Sequence, residues 1–465
     1  MERTLQSHRF ALSLNPANTD ILFNTAQVLT SLAEAQLEAG TTASGKYEAR
    51  PLLEEAVQLF TQCLESQQQE YAQTQAEIAK AQASGEYQEA WEGERQQPKD
   101  AQDDSMDIAS SASEVPGDWA TVEEPLTPES ILETCIAQLG AVTTLLGLYD
   151  PNAHLSSMEK IARDGLETAN NHIPALLDLV ATTPAPSAPS QEPKSGPTLS
   201  IGSTAAAEEA STTPRDDAIL AAANFQASLE EMTYRSGRNT SAAYAQAIER
   251  IFSALDTTIN APAPVPASTP PSAALAALNI HSAYADALID LASALSDSLH
   301  HSTASPTTTA AATDVDIQWT ALTQAQLSLA YMGTAPYVSL LSPARLADVF
   351  LARGDVELFR FRLSYAGAAR PAWVKSRAVL VGNAGAYYRG ARGYAERGSA
   401  GEIRSTADAK AVVAEVLKVG LEGGGGAVRE EWRGRSEAVA RVLEQMVQEG
   451  VVGREEAEGV LSAVQ

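Results

Sequence analysis

Between Phe10 and Glu34 the chain reads FALSLNPANTDILFNTAQVLTSLAE: the tail of one helix, a proline stop, and the beginning of another. In that second helix Leu22, Ala26 and Leu29 recur at intervals of four and three, the spacing that lines one face of an α-helix. Similar apolar faces return in LLEEAVQLFTQCLES (52–66), MEKIARDGLETANN (158–171), YAQAIERIFSALDTT (244–258), IQWTALTQAQLSLAY (317–331) and RLADVFLARGDVELF (345–359). Nowhere does a convincing strand-like alternation appear, so the pattern predicts an all-α protein. Between the helical stretches lie segments poor in apolar residues: 66–125, 183–215, 261–272 and 301–315. They are charged or rich in Pro, Ser, Thr and Ala, and bury too little apolar area to offset the entropy of ordering, which predicts long disordered insertions.

The spacing also fits a known helical repeat. A tetratricopeptide unit has a 34-residue period, and its second helix closes on Ala-Leu with a proline four residues on, as Ala11, Leu12 and Pro16 do. Leu22, Ala26 and Leu29 then fall on the packing positions of the next first helix. Ala56, Phe60 and Cys63-Leu64 fall on those of its delayed second helix, and Ala247, Ile251 and Ala254-Leu255 repeat that spacing. Gly165-Leu166 marks a weaker second helix, and Leu346, Ala347, Phe350, Gly354 and Asp355 match five consensus positions without insertion. The expectation is a right-handed tetratricopeptide-repeat solenoid over residues 1–365, continued by a C-terminal helical region, 366–465. Met1–Leu14 reads as a second helix lacking its first, as a truncated chain or displaced start codon would give; a lone capping helix is the alternative. In the C-terminal region RPAWVKSRAVLVGNAGAYYRGARGYAERG has helical spacing through Trp373, Val379, Ala386 and Tyr387, followed by helices near 407–421 and 427–464 around Gly423–Gly426.

Composition changes this picture mainly through charge. The chain has 465 residues, is 44% hydrophobic and 6% aromatic, and carries a formal charge of −27. From Arg345 onward Lys and Arg number 18 against 16 acids, so the residues before it hold 14 against 43. Such a surface repels phosphates and attracts cationic partners, which argues against direct nucleic-acid binding. MERTLQSHRF has no apolar signal core and no run is long enough to span a bilayer, so a soluble protein of cytoplasm and nucleus without membrane attachment is expected.

Catalytic constellations are missing, which predicts a non-enzyme without cofactor or metal. The Gly423–Gly426 run follows a helix and reads as a helix stop, not a phosphate cradle. His300-His301 lacks ligand spacing, Cys63 fits a small packing position, and Tyr387-Tyr388 reads as helix packing more readily than as a base-stacking platform beside Arg389 and Arg392. The first helices of a tetratricopeptide stack line its concave groove. Here those segments, 19–36, 129–149, 216–234 and 272–299, contain no Lys or Arg. Their acids include Asp20, Glu34, Glu133, Asp217, Glu230, Glu231, Asp286 and Asp290, with Asn24 and Asn224 available to bond a bound backbone. Phe23 and Phe225 supply apolar groove contacts, and a basic extended ligand is the expected guest.

NPANTDILFNTAQVLTSLAE, the acidic run around Asp103–Asp107, RLADVFLARGDVELFRFRL and GNAGAYYRGA together resemble the fungal dedicated assembly chaperone of large-subunit ribosomal protein four. The resemblance implies a tetratricopeptide superhelix that captures the basic internal loop of the newly made ribosomal protein, one to one. It then protects the client and delivers it to nuclear pre-60S particles, with an import receptor engaged through the client. It implies groove exposure for Asp20, Asn24 and Gln27. The missing first half-repeat and the long insertions depart from the pattern. A generic scaffold joining subunits of a complex is the alternative expectation.

Overall fold

The computed structural model describes residues 2–39, 43–84, 126–150, 153–182, 211–262, 268–301, 308–335, 337–423, 432 and 435–464. Among them there is no strand. The helices are α1 (Glu2–Leu14), α2 (Thr19–Ala39), α3 (Ala43–Ser84), α4 (Pro128–Leu146), α5 (Leu155–Glu167), α6 (Ile173–Thr182), α7 (Pro214–Arg235) and α8 (Ser241–Ser253). They continue with α9 (Pro271–His301), α10 (Thr308–Met332), α11 (Pro343–Leu363), α12 (Pro371–Arg397), α13 (Gly401–Leu421), α14 (Ser436–Gln448) and α15 (Arg454–Val464). A π turn, Thr168–His172, runs α5 into α6.

Local chemistry sets the helix ends. Thr127, Thr213 and Ser342 each precede a proline, and their hydroxyls accept from the N–H groups of Ser130, Asp216 and Arg345. The cap satisfies an orphan donor, and the proline at the first helical position has none to lose. Gly423 and Gly450, at φ of 71° and 76°, follow α13 and α14 in the left-handed conformation that glycine takes without steric cost.

Helices stack as consecutive hairpins: α2 on α3, α4 on α5 and α6, α7 on α8, α9 on α10, α11 on α12 and α13 on α14. First members also meet each other, α2 with α4, α4 with α7, α7 with α9 and α11 with α13, while α8 meets α10. Neighbour-on-neighbour packing of this kind makes an all-α solenoid. Its apolar interior falls into two clusters, one from Leu5 to Met232 and one from Ala223 to Val464, and α7 serves both. Ala218, Phe225 and Met232 face the first; Ala223 and Ala227 face the second. Gly165 leaves room for Phe225: a Cβ there would sit 2.5 Å from the Phe225 ring. Gly354 does the same for Tyr388, at 2.3 Å, inside an unbroken α11.

Several expected boundaries are corrected. Helix α3 continues through residues 66–84, because its packed first half propagates helix into a polar second half at little further cost. Helix α10 begins at Thr308, α9 at Pro271 and α7 at Pro214, so the ends of the expected insertions are helical. Residues 85–125, 183–210, 263–267 and 302–307 lie outside the described residues, as do Gly424–Gly426. The expected 427–464 helix is two, broken at Gly450. In α12 Val379 is 61% exposed, while Trp373, Leu380, Val381, Ala384 and Tyr388 are buried.

Candidate functional site

The first helices α4, α7 and α9 bring their faces together around an open cleft of about 390 Å³. Thr143 of α4 closes one side; Asn224, Ser228 and Glu231 of α7 face Asn279, Asp286 and Asp290 of α9 across it. On α7 the sequence places Asn224 and Glu231 seven residues apart, and on α9 Asp286 and Asp290 four apart, so each pair shares one helix face. Four predicted site residues, Asn224, Glu231, Asp286 and Asp290, thus meet in one place.

Both α9 carboxylates are exposed and line the cleft. Burial pushes the Asp286 carboxyl up to about 6 against the pull of Arg345. Asp290 rises to about 7, through burial first and then the neighbouring Glu231 and Asp286, with Arg235 opposing and Glu449 adding repulsion. Burial likewise raises the Tyr244 phenol at the cleft wall.

The remaining predicted residues are distributed along the stack. Asp20, Asn24, Gln27 and Glu34 form an exposed stripe on α2, and Glu133 is exposed on α4. Asp217 lines an adjoining cavity of about 280 Å³ that shares Leu220 and Asn279 with the cleft, and accepts a 2.7 Å hydrogen bond from the Thr212 hydroxyl. Phe23 is half-buried, edge-on to Phe60 with ring centroids 5.8 Å apart.

Two residues are corrected. Phe225 is fully buried against Gly165 and offers nothing to a ligand, because α7 must feed apolar side chains to both cores. Glu230 sits on the far side of α7, in a cavity with Leu166, Asn170 and Arg250, and accepts a 3.1 Å hydrogen bond from Asn239 Nδ2.

The expected absence of cations from the groove is also corrected. Arg345, from α11, reaches into the cleft and donates to Asn279 Oδ1. Arg235, the last residue of α7 and one beyond the segment read as cation-free, donates to Glu231 at 2.7 Å and to Asp297 at 2.8 Å. The Glu231–Arg235 pair was visible as an i,i+4 spacing. Neither Arg345 nor Glu449 carried a local signal, since each comes from a distant helix.

Chemically, the cleft holds more carboxylates than cations and offers amide and hydroxyl groups beside them. Among the described residues no cluster of three His, Cys, Asp or Glu is arranged to hold a metal, and no helix is long and apolar enough to cross a membrane. Both cysteines are buried, with burial raising their thiols to about 11 for Cys63 and about 12 for Cys135, which leaves them unreactive. Compared with protein-family models, curated proteins and solved structures, the chain matches none.

Proposed function

We propose that this chain is a stoichiometric chaperone of tetratricopeptide type for a basic ribosomal protein, with large-subunit protein four as its client. The supporting observation is the cleft between α7 and α9, where the exposed Asp286 and Asp290 stand together with Glu231 and repel one another. Crowded carboxylates gain most when a partner supplies the missing positive charge. The exposed α2 stripe and Glu133 extend the acidic lining towards the N-terminal end. Binding shields the client's Lys and Arg from premature contact with RNA, and ribosomal RNA later competes the client away in the nucleus. No nucleotide and no covalent step enter this scheme.

The test is co-expression with the ribosomal protein. A one-to-one complex should form and the client should stay soluble in its presence. An intact complex after deletion of the client's basic internal loop, or recovery of a neutral or acidic companion from native extract, would refute the reading.

A further inference from the structure

His281 of α9 is fully buried where α8, α9 and α10 join, yet its ring is only half partnered. Its Nδ1 lies 3.4 Å from the Ser328 hydroxyl of α10, while no described residue hydrogen-bonds Nε2. That nitrogen faces Asp256 Oδ2 at 3.6 Å, beyond hydrogen-bond reach. Asp256, just past α8, is held back: its other oxygen accepts from both the N–H and the hydroxyl of Thr258, each at 2.7 Å. From α10 the Tyr331 ring stacks obliquely on the imidazole, centroids 4.5 Å apart, and its hydroxyl shares a 2.9 Å hydrogen bond with Tyr337. Gln324 of α10 ties down the same loop by donating to the Ile259 carbonyl at 3.1 Å, and Tyr284 of α9 donates to Asn260 at 3.0 Å. Asp256 supplies the charge acting on the ring; burial keeps the phenols of Tyr331 and Tyr284 neutral.

We infer that this joint is an acid-sensitive latch, closed over a neutral His281 and loosened when the ring takes up a proton. A neutral imidazole suits the site: Nδ1 accepts from the Ser328 hydroxyl and the Nε2 N–H is turned towards Asp256. A buried imidazolium needs both N–H groups bonded and its charge balanced. Ser328 can accept from one of them, but the other meets a carboxylate oxygen too distant to bond, on a side chain already committed to Thr258. Burial accordingly lowers the imidazole below its ordinary 6.5 and outweighs the opposing pull of Asp256. Stability from the neutral ring is therefore fully present above pH 6.5 and is lost as pH falls below it. Asn279 and Ser282, beside His281 on α9, line the cleft, and Ala254 and Leu255, leading into Asp256, line the adjoining cavity. Loosening the joint thus reaches both hollows.

The experiment uses the full chain, with carbon-13-labelled histidine followed by NMR and amide exchange followed by mass spectrometry between pH 7.5 and pH 5. The His281 ring, assigned by its loss in His281→Gln, should stay neutral through pH 6 and titrate only below it. Over the same range, exchange at residues 252–261 and 278–285 should accelerate severalfold beyond the intrinsic pH dependence of amides, while α2 and α3 keep their protection. In His281→Gln, which cannot take up the proton, that local acceleration should vanish. Asp256→Asn, which removes the opposing charge, should push the ring's titration lower still. Thermal unfolding at pH 7.5 checks the fold of each variant, and the wild-type titration and exchange decide the matter alone if a variant does not fold. A ring that titrates at 6.5 or above, an acceleration spread evenly along the chain, or one that persists in His281→Gln overturns the latch. None of these readouts involves a client, so failure here leaves the proposed function standing.

Discussion

Asp290 shows how one side chain carries a functional tension. Its ionised form is disfavoured by desolvation and by Glu231, Asp286 and Glu449, and favoured by Arg235. Since its folded pKa of about 7 lies above the ordinary value of 3.8, stability from this group is fully present below pH 3.8 and is lost as pH rises through 7. Asp290→Asn should therefore raise the thermal midpoint relative to wild type at pH 8, by an amount that shrinks steadily towards pH 5. Asp286, at about 6, follows the same sign with a lower window. Unfolding curves across that range check the expectation, and a difference independent of pH would contradict it. On the proposed reading, the mutual repulsion of these acids is what a cationic ligand would relieve.

At the scale of helices, a buried network ties α11, α12 and α13 together. Lys410 of α13 is buried and bonds both oxygens of Asp355 on α11, and the Tyr388 hydroxyl of α12 donates to the same carboxylate at 2.8 Å. Removing one member of such a pair leaves an uncompensated buried charge and costs about 3–5 kcal/mol. Lys410→Met should lose stability of that order in denaturant titration, and Lys410→Met with Asp355→Leu should recover much of it; equal loss in both would argue against the pair. None of this network was legible from sequence, although Gly354 and Asp355 were singled out as consensus positions. What periodicity did convey was packing: Leu22, Ala26, Leu29, Ala56, Phe60, Cys63, Leu64 and Ala247 are all buried, because one apolar stripe on an amphipathic helix has one place to go. The same logic misjudged Phe225, since α7 has a core on each side and a single-face reading hides its second buried face. Composition misjudged residues 66–84 and 308–315, whose polar sequence argued for loops while the adjoining packed helix fixed their conformation.

The whole molecule separates charge along its length, with the acids concentrated before Arg345 and a near-balanced C-terminal region behind it. The cleft lies where these parts meet: its carboxylates come from α7 and α9, its resident cation from α11. On the proposed reading, a basic client would be drawn to the N-terminal stack by the summed field and met at the boundary by the groups of the cleft. Attraction of this origin is screened by salt, with a Debye length of about 10 Å at 0.1 M and about 3 Å at 1 M. Raising salt from about 0.05 to 0.5 M should weaken the client complex tenfold or more, mostly through a slower association rate, as electrostatic steering requires. Contacts made inside the cleft are partly shielded from ions, so dissociation should change less than association. A scaffold held by apolar surfaces would show the reverse insensitivity, with both rates nearly unchanged across the same range. Stopped-flow or surface-binding kinetics at several salt concentrations separate the two cases, and a flat association rate would remove the electrostatic basis for assigning this solenoid a cationic client.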